Sequence, residues 1–86
     1  MARRTEIVGE TTEIAAVGGR LRAERDRLDL DQQGLADRLG ISRQQLSAYE
    51  GGGARASAVL VGLVARIVSA QTGEDPRAVA GRIVVG

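Results

Sequence analysis

Three polar side chains, Arg43, Gln44 and Ser47, share one face of the stretch RQQLSAYE at residues 43–50, whose opposite face carries Leu46 and Tyr49 at helical spacing. Arginine and glutamine present paired donors and acceptors that match the edges of guanine and adenine, so the chemistry on offer is the reading of DNA bases in a major groove. Other groups suited to phosphate surround them. Gln32 and Gln33 open a preceding helical segment, whose N-terminus attracts an anion, and Gln45 stands beside the reading face. Gly52 and Arg55 follow in the loop Gly51-Gly52-Gly53-Ala54-Arg55, where glycine leaves backbone N–H groups bare and arginine adds charge. The same loop lacks a following Lys-Ser/Thr, so a nucleotide-binding P-loop is rejected.

Local signals predict the elements that position these residues. Leu35, Ala36 and Leu39 give the segment after Asp31 an apolar side, and Asp31 is placed to cap it. Gly40 ends it in the left-handed conformation, Ile41 plugs the corner, and Ser42 caps the helix that follows. Two short helices around a glycine, the second with an outward polar face, form a helix-turn-helix candidate over Gln32 to Gly51.

At these residues the sequence resembles the Cro and repressor type of helix-turn-helix protein, the XRE family. Leu35-Ala36, Leu39-Gly40-Ile41, Leu46 and Tyr49-Glu50 occupy its apolar, small and glycine positions, and the resemblance runs from about Val17 to about Gly73. It implies an all-α bundle of four to five helices. It also implies that Gln32 holds a phosphate and that Arg43, Gln44, Ser47 and Ala48 face base edges. Arg25 and Glu50 match a pair that in relatives ties the first helix to the third. The chain departs from the pattern at Glu24, where relatives place an apolar residue, at Asp29, which replaces a glycine, and at Gly34, which replaces a helix former. Gly34 should cost about 1 kcal/mol of helix stability relative to alanine.

Composition bounds the alternatives. Eighty-six residues make one small domain, and its apolar content comes from Val, Leu, Ile and Ala, with Tyr49 the sole aromatic. The absence of cysteine excludes disulfides and thiolate metal sites, and the absence of histidine removes the commonest general base. No catalytic residue, metal site or cofactor is expected; Glu10, Glu13, Glu24 and Asp26 read as surface charge, and an enzyme is the weakest class. All twelve basic residues are arginine, yet the net charge is only +1, so the overall field favours nucleic acid weakly. The N-terminus lacks the apolar run of a signal peptide, and a cytoplasmic protein is expected.

Around this centre the chain divides into an N-terminal arm at 1–13, a helix-turn-helix domain at 14–73 and a C-terminal helix and tail at 74–86. Arg3 and Arg4 suit an arm along DNA, although an arm so short reads more readily as a solvated terminus. Gly18 and Gly19 weaken the first helix (about Glu13 to Leu28), which then starts after them. Ser57 caps a fourth helix to about Gln71, apolar on more than one face but too short, and broken by Arg66, to span a membrane. Asp75-Pro76 starts a fifth, with Arg77 and Arg82 outside, and Thr5 to Val8 and Ile83 to Val85 have the β-branched content of short strands.

The function expected is a sequence-specific double-stranded DNA-binding regulator, most simply a homodimeric repressor of the Cro-like phage or bacterial kind. Its two copies pair through the helix at 58–71 and the C-terminal segment. They present the helices at 43–50 about 34 Å apart to a palindrome. The alternative is an antitoxin or regulatory subunit whose apolar C-terminal half binds a protein partner.

Overall fold

The computed structural model describes the backbone of residues 2–86 and the side chains from Glu13 onward. Five helices follow one another: α1 (Ala2–Arg27), α2 (Gln32–Leu39), α3 (Arg43–Glu50), α4 (Ala58–Thr72) and α5 (Pro76–Val84). No strand occurs among the described residues, so the fold is an all-α bundle. The extended segments expected at Thr5–Val8 and Ile83–Val85 are helical instead. The first lies within α1, and after α5 the Val85 and Gly86 N–H groups still donate to the Gly81 and Arg82 carbonyls at 2.9 and 3.1 Å. The arm expected at 1–13 likewise has the backbone of α1 from Ala2. The side chains of Arg3 and Arg4 lie outside the described residues.

The starts of α2, α3, α4 and α5 are each set by a side chain within four residues. Asp31, Ser42, Ser57 and Asp75 accept from the backbone N–H groups of Gly34, Gln45, Leu60 and Arg77, which relieves donors that have no partner inside the helix. Gly40 ends α2 at φ 72°, and its N–H donates back to the Ala36 and Asp37 carbonyls. The connection from α1 to α2 turns at Asp29, which holds φ 58°, where short polar side chains are tolerated but glycine is easier.

The expected break of α1 at Gly18-Gly19 does not occur; α1 runs through both. A β-carbon built on Gly18 would lie 2.1 Å from the Tyr49 carbonyl oxygen and 2.8 Å from that of Glu50. The backbone of α1 therefore rests directly on the end of α3, and only glycine permits that approach. Gly19 meets nothing within 4 Å. Helix propensity is overridden here by a tertiary contact.

The larger apolar cluster joins Leu21 and Leu28 of α1, Leu60, Val61, Val64, Ala65 and Val68 of α4, and Val79 and Ile83 of α5. Leu35, Ala36 and Leu46, all fully buried, form a smaller cluster at the α2–α3 crossing. Leu30, Leu39, Ile41 and Ile67 touch both. α5 covers part of the apolar girth of α4, while Val59 stays 73% exposed and Leu63 38% exposed.

Candidate nucleic-acid interface

α3 is fixed at both ends before its outward face is considered. At its start Ser42 Oγ accepts from the Gln45 N–H at 3.0 Å, and Gln45 Oε1 accepts from the Ser42 N–H at 2.9 Å. This reciprocal cap holds the first turn rigidly. At its end Glu50, only 8% exposed, accepts from Arg25 Nε at 2.8 Å and Nη2 at 3.0 Å. Arg25 Nη1 donates on to the Leu30 carbonyl at 2.9 Å, so one guanidinium ties α1, the α1–α2 connection and α3 together. The hydrogen-bonded Glu50 carboxylate raises the Arg25 pKa above its ordinary value against the opposing effect of burial, so the guanidinium keeps its charge.

With Leu46 buried beneath, α3 presents Arg43, Gln44 and Ser47 to solvent, and none of these three side chains hydrogen-bonds another described residue. Ala48 is half-buried beside them. Gln45 is exposed, and while its side-chain oxygen serves the cap, its amide N–H groups have no partner among the described residues. Gln33 is exposed and donates to Asp37 at 2.8 Å. Gln32 is half-buried, and its Nε2 donates to Glu50 Oε1 at 3.2 Å. The residue that opens α2 is thus aligned by the carboxylate that Arg25 holds, a link over 18 positions that local periodicity does not reveal.

The loop after α3 departs from its sequence reading. Its N–H groups are not bare: those of Gly51, Gly52, Gly53 and Ala54 donate to carbonyls of Ser47, Tyr49 and Ala48 at 2.8 to 3.4 Å. The glycines let the chain fold back on the last turn of α3, and the Gly52 N–H is spent there. Arg55 is exposed.

Sequence reasoning also misplaced two charges. Glu24 is 5% exposed rather than on the surface, and Arg82 reaches inward to it with Nε at 2.8 Å and Nη2 at 2.7 Å. Fifty-eight residues separate the two, and no motif of shorter range marks them.

Two compact helices crossing at a left-handed glycine, with the second capped and its polar face outward, define a helix-turn-helix domain. The chain belongs to that family: the family model described as helix-turn-helix matches residues 21–67, which include all of α2 and α3 and most of α4. Membership in this family of the XRE type makes it a DNA-binding domain rather than an enzyme. The chain is similar to an uncharacterized transcriptional regulator in the ATPase CF(0) region of Rhodospirillum rubrum, 52% identical over 44 residues. That match covers 51% of this chain and 41% of the relative, so the chain spans well under half of the regulator's length. No solved structure matches. Among the described residues no helix is long and apolar enough to cross a membrane.

Proposed function

We propose that the protein is a transcriptional regulator that reads a palindromic operator as a homodimer, most simply as a repressor of the Cro-like kind. The observation that carries this reading is the outward face of α3, where Arg43, Gln44 and Ser47 are exposed and unbonded on a helix capped at its start and clamped at its end. Arg43 addresses a guanine, Gln44 an adenine, and Ser47 with Ala48 completes the contact with the base edges. Gln32, Gln33, Gln45 and Arg55 flank this face as phosphate contacts, while Gly52, its N–H already used, contributes shape rather than a donor. A net charge of +1 supports few phosphate contacts, so a single copy would bind weakly and release with salt, and two copies solve that problem. Val59 and Leu63 of α4, together with Val84 and Val85 at the end of α5, supply exposed apolar surface for the pairing.

Selection of bound sequences from random duplexes, followed by footprinting, tests this directly. A palindrome with half-sites one helical turn apart is expected; a single asymmetric half-site on a monomer would overturn the dimer. Arg43→Ala should cost about 1–3 kcal/mol at one base position and little on random DNA. Equal losses on specific and random duplexes would remove Arg43 from base reading.

An antitoxin or regulatory subunit is the second reading. It is favoured by a groove in which Ile14, Val17, Val61, Val84 and Val85 are rimmed by the charges of Glu13, Arg20 and Arg55, a surface that another protein could fill. A chain that is monomeric at micromolar concentration and forms a one-to-one complex with a protein encoded beside it would support this reading over the homodimer.

A further inference from the structure

Two carboxylates and two guanidiniums close a ring between α1 and α5. Glu24 accepts from Arg27 Nη1 at 3.0 Å and from Arg82 Nε and Nη2 at 2.8 and 2.7 Å. Glu74, in the connection before α5, accepts from Arg27 Nη2 at 2.9 Å and Arg82 Nη2 at 3.1 Å, and is also bonded by Arg82 Nη1. The ring is charge-balanced but unevenly wet. The Glu24 side chain is 6% exposed, against 32% for Arg82, 31% for Glu74 and 46% for Arg27. α5 is also held by Val79 and Ile83, fully buried against α1 and α4, by half-buried Ala80, and by Arg20 Nη1 donating to the Ile83 and Val84 carbonyls at 3.2 and 3.1 Å. No residue of α5 belongs to the cluster at the α2–α3 crossing, and α5 lies beyond the matched family region.

We propose that Glu24, Arg27, Glu74 and Arg82 form a charge latch for α5, which holds this helix closed over the α1–α4 core and lets it open as a local unit while the α2–α3 crossing stays folded. Glu24 is the member that cannot be left alone, since a buried carboxylate without its cation is costly and relieves that cost by taking up a proton. Arg82 is the only member carried by α5 itself, so the latch opens or closes with that one side chain.

The sign of the pH dependence follows from the groups facing Glu24. Burial pushes its carboxyl above the ordinary value of 4.5, Arg27 opposes this, and Glu74 adds to it. The closed state therefore binds the Glu24 proton more readily than the open state. Closure is favoured most below the open-state value, and that advantage is lost as pH rises through the raised one. Removing Arg82 enlarges the shift and steepens the dependence, whereas removing the Glu24 charge abolishes it.

Amide hydrogen exchange, corrected for intrinsic rates and followed between pH 5 and 8, tests the latch in the natural chain, Arg82→Ala, Glu24→Gln and the double variant. Arg82→Ala should lose roughly tenfold protection at Val79–Val85 at pH 8, where Glu24 is left buried and short of a cation. It should recover much of that protection at pH 5 and leave α2 and α3 unchanged. The double variant should regain the protection at pH 8 and show no dependence. Equal losses and equal slopes in the single and double variants would reduce Arg82 to a packing role, and protection lost together from α3 and α5 would rule out local opening. If Arg82→Ala fails to fold, Glu24→Gln alone decides. A flat profile beside a sloping natural one supports the latch, and identical slopes overturn it.

Discussion

Neighbouring residues on one turn of α1, Glu24 and Arg25, anchor opposite sides of the molecule by opposite charges. Arg25 grips the Glu50 carboxylate at the end of α3; Glu24 receives Arg82 from α5. In the first joint both side chains are sealed, 11% and 3% exposed, and the fork is bidentate. In the second, one buried carboxylate is served by arginines that are a third to a half in water. The difference teaches how the same interaction type serves two ends. A dry pair fixes the helix whose outward face must not move, whereas a half-wet ring leaves the C-terminal helix exchangeable. Neither is a source of much net stability, since desolvation offsets most of the attraction, but the penalty for breaking each differs sharply.

Arg25→Ala puts the largest strain on this comparison. It leaves Glu50 buried with only the Gln32 amide, and it strips the Leu30 carbonyl of its donor. Denaturant unfolding should register a loss of about 3–5 kcal/mol. Replacing the pair by apolar groups, Arg25→Met with Glu50→Leu, should restore a large part of it, because no charge is then stranded. A single-variant loss below about 1 kcal/mol would mean that water reaches Glu50 and that the contrast between the joints is false. Arg82→Ala should cost about 1–2 kcal/mol in the same measurement, its partners being partly solvated.

Gly18→Ala strikes the same α1–α3 joint through shape instead of charge. The added methyl would sit 2.1 Å from a backbone oxygen, which cannot swing aside as a side chain can. A loss of about 3 kcal/mol, at the upper end of overpacking effects, is expected from thermal or denaturant unfolding. DNA affinity should fall with it, because the clash tilts α3 at Tyr49 and Glu50. Unchanged stability would show that the two helices do not approach so closely.

How much of this was legible in the sequence follows from range. Asp31, Ser42, Ser57, Asp75 and Gly40 act within four residues of the backbone they satisfy, so their types and spacing were enough to place four helix starts and the turn between α2 and α3. Arg43, Gln44 and Ser47 could be read as an outward face because Leu46 fixes which way α3 is turned. Arg25 and Glu50 are 25 positions apart, and only the family resemblance pointed to them. The resemblance marked position 24 as apolar in relatives, yet nothing linked Glu24 to Arg82, 58 positions away, and both read as solvated charges. The two glycines of α1 look alike in sequence, and only the presence of α3 against one of them separates their roles. The loop at 51–54 was misread because free N–H groups are a property of its path, and its path doubles back on α3.

Gly19→Ala is the smallest and the most discriminating test of that separation. Its position has nothing within 4 Å, its neighbours continue the helix, and no positive φ is required there. Alanine saves the backbone entropy that glycine loses on entering a helix, so the variant should gain about 0.5–1 kcal/mol. Gly18→Ala and Gly19→Ala thus change the same atom at adjacent positions and should move unfolding in opposite directions. If both destabilise, the face of α1 at Gly19 is covered by something beyond this chain's described residues, and a gain lost only at high protein concentration would identify that cover as a second copy. If both stabilise, α1 does not rest on α3, and the sealed joint at Arg25 loses the close approach that keeps it dry.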